Sequence, residues 1–152
     1  MSGGSAASPA ATGELQAALA AEHAAVYGYG VVGAYLTGTS RASATSDWLA
    51  HQVARDALEA MLRSRGAQPV AAAAGYQLPV VRTTAEAAQL AVTLEDRVAT
   101  AYLGLVAVSA TAIRRFGARQ LQASALRAAG WRGSTVAFPG LPASSLAAPR
   151  RD

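Results

Sequence analysis

Residues 21–38 read "AEHAAVYGYGVVGAYLTG", and two incompatible folds can be drawn from them. Gly28, Gly30 and Gly33 have the G-x-G-x-x-G spacing of a dinucleotide-binding turn, while Glu22 and His23 stand just before them among alanines. The dinucleotide fingerprint needs a strand before the glycines and a helix after them, so that backbone N–H groups meet a pyrophosphate at the helix start. Here the preceding "ELQAALAAEHAAV" is helix-forming and contains no β-branched run. Asp47 lies at a tolerable distance for a ribose-binding acid, but it follows Thr45-Ser46 and opens a helix. The glycines are therefore read as helix positions, each costing about 1 kcal/mol relative to alanine. Close approach of a neighbouring helix, or of bulky tyrosines, would offset that cost.

The helical reading makes Glu22 conspicuous. Leu15, Leu19, Glu22, Val26, Tyr29, Gly33 and Leu36 recur at alternating steps of four and three, the stripe of a helix that faces a core. A carboxylate on that stripe is at least partly buried and needs a partner. The arrangement recurs once. Glu95 is followed after seven residues by Tyr102, as Glu22 is by Tyr29, and seven residues is two helical turns. The repeat suggests two related hairpins packed about a pseudo-twofold axis.

The rest of the chain supplies the other helices. The first is expected from Glu14 to Leu36 with Thr12 as N-cap, and Glu14 in its first turn suits the helix dipole. "TGTSRASAT" reads as a loop, with Thr45 or Ser46 capping a second helix from Asp47 to Arg65 that stops at Gly66. "AQPVAAAAGYQLPVVR" contains Pro69, Gly75 and Pro79 and reads as a long crossover. Thr83 and Glu86 form a capping box for a third helix reaching about Val108. A fourth is expected from Ala112 to Ala129, ended by Gly130. The expected organisation is a leader over 1–12, an all-α four-helix bundle of two hairpins over 13–130, and a C-terminal tail over 131–152 that packs on the bundle or stays disordered.

Composition agrees with one compact helical domain. Of 152 residues, 52% are hydrophobic and 14% charged, and much of the apolar fraction is alanine, which favours helix and close helix packing. The absence of cysteine removes disulfides, thiolate metal sites and a cysteine nucleophile. The first residues have no basic and apolar signal-peptide regions, and no apolar run reaches about eighteen residues without a charge. A soluble cytoplasmic protein without membrane association is expected. No Ser–His–Asp constellation can be assembled from two histidines so placed.

On "AEHAAVYGY", on "LEAMLRSRGAQPV" and on the long crossover, the sequence resembles the ferritin-like family, most closely uncharacterised ferritin-like domains of high-GC bacteria. The resemblance implies a bundle in which the first and third helices each supply a Glu, and the second and fourth each supply E-x-x-H, around two metal ions. Glu22 and Glu95 match the first pair. The second helix departs from the pattern, reading His51-Gln52-Val53-Ala54-Arg55-Asp56, and the fourth has no Asp, Glu or His between Ala112 and Ala129. Half of the ligand set is missing. A single Fe, Mn or Zn ion held by Glu22, His51 and Glu95 or Asp56 is one reading, and would make the chain a metal-binding protein or oxidoreductase.

The preferred reading has no cofactor. In it Arg55 or Arg119 turns inward and bridges Glu22 and Glu95, and the chain is a structural or interaction module that has lost a di-iron centre. His23 is expected to face away from the stripe, exposed or at an interface. Arg114, Arg115, Arg119, Arg127 and Arg132 could present a basic face to RNA or phosphate, but no aromatics interleave with them, and a solvated face is expected instead. Trp48, Tyr76, Trp131 and Phe138 are expected to cap the bundle or to line a homodimer interface.

Overall fold

The structure is a computed structural model and describes residues 9–141. Among them are four helices and no strand: α1 (Pro9–Ala34), α2 (Gly38–Ser64), α3 (Thr84–Val106) and α4 (Thr111–Arg132). α1 packs on α2 and on α3, and α3 packs on α4. All three Gly28, Gly30 and Gly33 lie inside α1, so no phosphate-binding turn exists there. Residues 1–8 of the expected leader and 142–152 of the expected tail lie outside the described residues.

Two apolar clusters fix the helix directions. Leu15 and Leu19 near the start of α1 pack with Leu58 and Leu62 late in α2, Tyr102 and Leu105 late in α3, and Ile113 and Phe116 early in α4. Tyr29, Val32 and Leu36 at the other end of α1 pack with Ala44 of α2, Leu90 and Leu94 of α3, and Trp131 of α4. α1 therefore runs antiparallel to both α2 and α3, and α4 antiparallel to α3. The crossover, residues 65–83, carries the chain from the first cluster to the second. Gln16 holds it to α1, donating to the Gln68 carbonyl at 2.7 Å and accepting from the Val70 N–H at 2.8 Å. Val81 is buried at its far end.

Helix ends differ from the sequence reading by more than two residues in three places, each for a local reason. α1 starts at Pro9, not Glu14; proline suits a first turn because its missing N–H would be unpaired there anyway. α2 starts at Gly38, so "TGTSRASAT" is its first turns and not a loop. The weak helix preference of Ser and Thr is overridden by burial of Ala44 against α1, and Gly38 makes the reversal at φ +55. α4 runs through Gly130 and ends at Gly133, whose left-handed φ of 78 lets its N–H donate to the Ala129 carbonyl at 2.8 Å. Trp131 is thereby a helical residue, facing inward. The capping box of α3 forms as read: Glu86 N–H donates to Thr83 Oγ1 at 3.2 Å, and Thr83 N–H to Glu86 Oε2 at 3.0 Å.

After Gly133 the chain folds back on α3. Thr100 Oγ1 donates to the Gly140 carbonyl at 3.0 Å, and a Cβ on Gly140 would lie 3.0 Å from the Ala99 oxygen. Phe138 remains 57% exposed, so it does not cap the core.

Candidate functional site

A polar layer lies between the two apolar clusters. Glu22, His51 and Glu95, from α1, α2 and α3, are each completely buried. His51 bridges the two carboxylates: its Nδ1 lies 2.6 Å from Glu22 Oε2 and its Nε2 lies 2.9 Å from Glu95 Oε1. A carboxylate only accepts, so both contacts are hydrogen bonds when both ring nitrogens carry protons. The bridge is that of an imidazolium between two anions. Burial alone would lower the His51 pKa, but the hydrogen bonds and negative charge of Glu22 and Glu95 outweigh it and push it up to about 9.

Two tyrosines close the remaining carboxylate positions. Tyr102 donates to Glu22 Oε1 at 2.5 Å, and Tyr29 donates to Glu95 Oε1 at 2.6 Å. Burial, then the charge and hydrogen bond of the facing glutamate, holds each phenol far above its ordinary range, so both stay neutral donors. Each tyrosine thus serves the glutamate of the other helix. Side chains on a helix lean toward its N-terminus, so in an antiparallel pair Glu95 leans toward Tyr29 and Glu22 toward Tyr102.

α4 breaks the symmetry. Arg127 Nε donates to Glu95 Oε1 at 3.0 Å, and its Nη2 donates to Ser124 Oγ at 3.2 Å. Burial opposes the Arg127 charge, but Glu95 more than compensates and raises its pKa further. For Glu95, burial would favour protonation, yet the His51 hydrogen bond and charge and the Arg127 charge hold its carboxyl below the ordinary range. Two carboxylates face one imidazolium and one guanidinium, so the layer is balanced in formal charge. Glu95 Oε1 accepts three bonds, while its Oε2 is buried without a partner among the described residues.

The layer reaches the surface through Trp131 and Asp47. Trp131 Nε1–H is shared between Asp47 Oδ2 at 2.9 Å and the Tyr29 oxygen at 3.1 Å, and the Tyr29 oxygen lies 3.3 Å from Asp47 Oδ2. Burial raises the Asp47 pKa against the opposing Trp131 bond.

Three of the four candidate metal residues, Glu22, His51 and Glu95, come together; Asp56 does not. Asp56 is an exposed partner of its neighbour Arg55, at 2.8 Å from Arg55 Nη2. Of the two arginines considered as the inward bridge, Arg55 is thus turned to Asp56 and Arg119 is exposed. The inward arginine is Arg127, because the buried face of α4 passes through Ile113, Gly117, Ser124 and Ala128, and position 119 lies on the far side. His23 is buried, not exposed: its Nε2 lies 3.0 Å from the Val70 carbonyl, under the crossover. Asp47, Ser124, Arg127 and Trp131 were not anticipated. The signal was a stripe on α4 through Ile113, Gly117, Gln120, Ser124, Arg127 and Trp131, which extends past Gly130.

A dinuclear centre of the kind the resemblance implies does not fit these residues. α4 offers Arg127 and Ser124 in place of an acid and a histidine, and the guanidinium already neutralises Glu95. Among the described residues no three Asp, Glu, His or Cys side chains are disposed to hold a metal ion together. Nor is any described helix long and apolar enough to cross a membrane.

These features define a class: an all-α four-helix bundle whose core is crossed by a buried, charge-balanced hydrogen-bond network. Residues 14–143 match the family described as Domain of unknown function (DUF4439), and the chain belongs to that family. It is similar to the crystal structure of a conserved hypothetical protein, rv2844, from Mycobacterium tuberculosis, with 37% sequence identity and a TM-score of 0.80 over 84% of this chain and 98% of that one. No curated protein matches it.

Proposed function

We propose that this chain is a ferritin-like protein working without a resident metal, as a structural or interaction module that forms a cytoplasmic homodimer. The observation that carries this reading is His51, held between Glu22 and Glu95 at 2.6 and 2.9 Å. In a ferritin-like bundle the two inward glutamates share metal cations; here an imidazolium and the Arg127 guanidinium supply the positive charge. The network fixes the register of α1, α2, α3 and α4 against one another, a use of buried ion pairs that does not depend on net stabilisation. Dimerisation is supported by Leu49 and Val53, one turn apart on α2 and 51% and 71% exposed, which place two apolar side chains side by side outside the core.

A second reading rests on one atom. Glu95 Oε2 is buried without a partner among the described residues, and if His51 gave up its bond to Glu22 the three side chains could rearrange about a single Fe, Mn or Zn ion. Elemental analysis of protein purified without chelators separates the two readings. The metal-free module contains far less than one equivalent of any transition metal. One equivalent of a metal, absent from Glu22→Gln protein, would establish the second reading. Sedimentation equilibrium tests the dimer, and a monomer at all concentrations would remove that part of the proposal.

A further inference from the structure

A cleft of about 500 Å³ opens where α2 and α3 begin and α4 ends, above the outer edge of the charge network. Its lining includes Asp47, Arg127 and Trp131 together with Leu36, Ser43 and Ala88. Arg127 spends Nε on Glu95 and Nη2 on Ser124, and its Nη1 has no partner among the described residues. Asp47 engages Trp131 and Tyr29 through Oδ2 alone, and its Oδ1 has no partner among the described residues. The cleft is therefore lined by a guanidinium and a carboxylate, each with one atom free of partners among the described residues, that do not hydrogen-bond to each other.

We propose that this cleft binds a small zwitterion, a free α-amino acid, with its ammonium on Asp47 and its carboxylate on Arg127. The volume falls in the range of roughly 300–1,000 Å³ that small-molecule sites occupy. An anion alone would meet the Asp47 charge and a cation alone the Arg127 charge; a zwitterion satisfies both. Leu36, Ala88 and the Trp131 ring supply apolar surface for a side chain. The α2 N-terminus opens on the same cleft, and its N-cap Thr37 makes no side-chain capping bond, which adds a favourable field for the carboxylate end. The inference is independent of whether the core holds a metal.

The test uses the full chain, titrated by calorimetry with free L-amino acids carrying small, branched and aromatic side chains. Each is compared with its methyl ester, which lacks the carboxylate charge, and its N-acetyl form, which lacks the ammonium. At least one free amino acid binds about tenfold more tightly than both derivatives, as expected for loss of a charge-assisted hydrogen bond. Its binding shifts the Trp131 indole N–H signal. Asp47→Asn weakens it by a similar factor, and Ser43→Trp, which fills the cleft from an exposed helix position, abolishes it without lowering the melting temperature. Absence of binding by every amino acid, equal binding of an ester or an N-acetyl form, or unchanged binding in Ser43→Trp protein would overturn the proposal.

Discussion

The Tyr102 hydroxyl on α3 closes on Glu22 of α1 at 2.5 Å, and Tyr29 of α1 returns the same bond to Glu95 of α3 at 2.6 Å. Each tyrosine lies about 10 Å along its helix from the glutamate it follows in sequence. The exchange works because α1 and α3 run antiparallel, which places the tyrosine of one helix beside the glutamate of the other.

The two tyrosines are not energetically equivalent. Tyr102→Phe removes the partner of Glu22 Oε1 and leaves that buried oxygen bare. Tyr29→Phe leaves Glu95 Oε1 still bonded to His51 and Arg127. We expect Tyr102→Phe to destabilise the fold by about 2–3 kcal/mol and Tyr29→Phe by about 1 kcal/mol, judged from the cost of orphaning a buried acceptor. Urea unfolding of both variants checks the order; an equal or reversed order contradicts the bonding pattern.

Loss of His51 is costlier. His51→Ala leaves two buried carboxylates with Arg127 as the one remaining cation beside them among the described residues, and should destabilise by about 3–5 kcal/mol. Chemical denaturation measures it. A variant as stable as the parent would show that the carboxylates find other compensation.

The pH dependence has a defined sign. The folded-state pKa of His51 is raised to about 9 from an ordinary 6.5. Its stabilisation is therefore complete below about pH 6.5 and is lost as pH rises through about 9. Glu95 is shifted the other way, below its ordinary 4.5, so its contribution is present above that value and fades as pH falls through its lowered pKa. Thermal melts should show a plateau between about pH 4.5 and 6.5 and a decline on the alkaline side beginning near neutrality. Stability that rises from neutral to alkaline pH would contradict this.

The glycines of α1 separate into two kinds. A Cβ on Gly28 would lie 2.5 Å from Leu94 Cδ1, whereas at Gly30 it would meet nothing within 4 Å. Gly30→Ala is expected to stabilise by up to about 1 kcal/mol through helix propensity. Gly28→Ala gains less or destabilises, because Leu94 must shift within the second apolar cluster. Paired denaturation curves decide it.

Much of the site was legible because helical periodicity is a strong signal. Glu22 stood out as a carboxylate on an apolar stripe and Glu95 through the repeated seven-residue spacing to a tyrosine, and His51 entered as the second helix's candidate beside them. What escaped depended on helix ends. Reading Gly130 as a stop cut Trp131 off α4 and hid the face that also carries Arg127. Reading residues 37–45 as a loop hid the first turns of α2, which bring Asp47 beside Trp131. In both places packing across the bundle decided the boundary, against local propensity. Arg127 could not be told from its neighbours by composition, since only the helix phase separates it from Arg119.

The central claim is that a protonated His51 bridges Glu22 and Glu95. Nitrogen-15 NMR of the His51 ring measures it directly. At neutral pH both Nδ1 and Nε2 should carry protons, with a titration midpoint at about 9. A ring nitrogen that is bare at neutral pH, or bonded to a metal ion, would contradict the account.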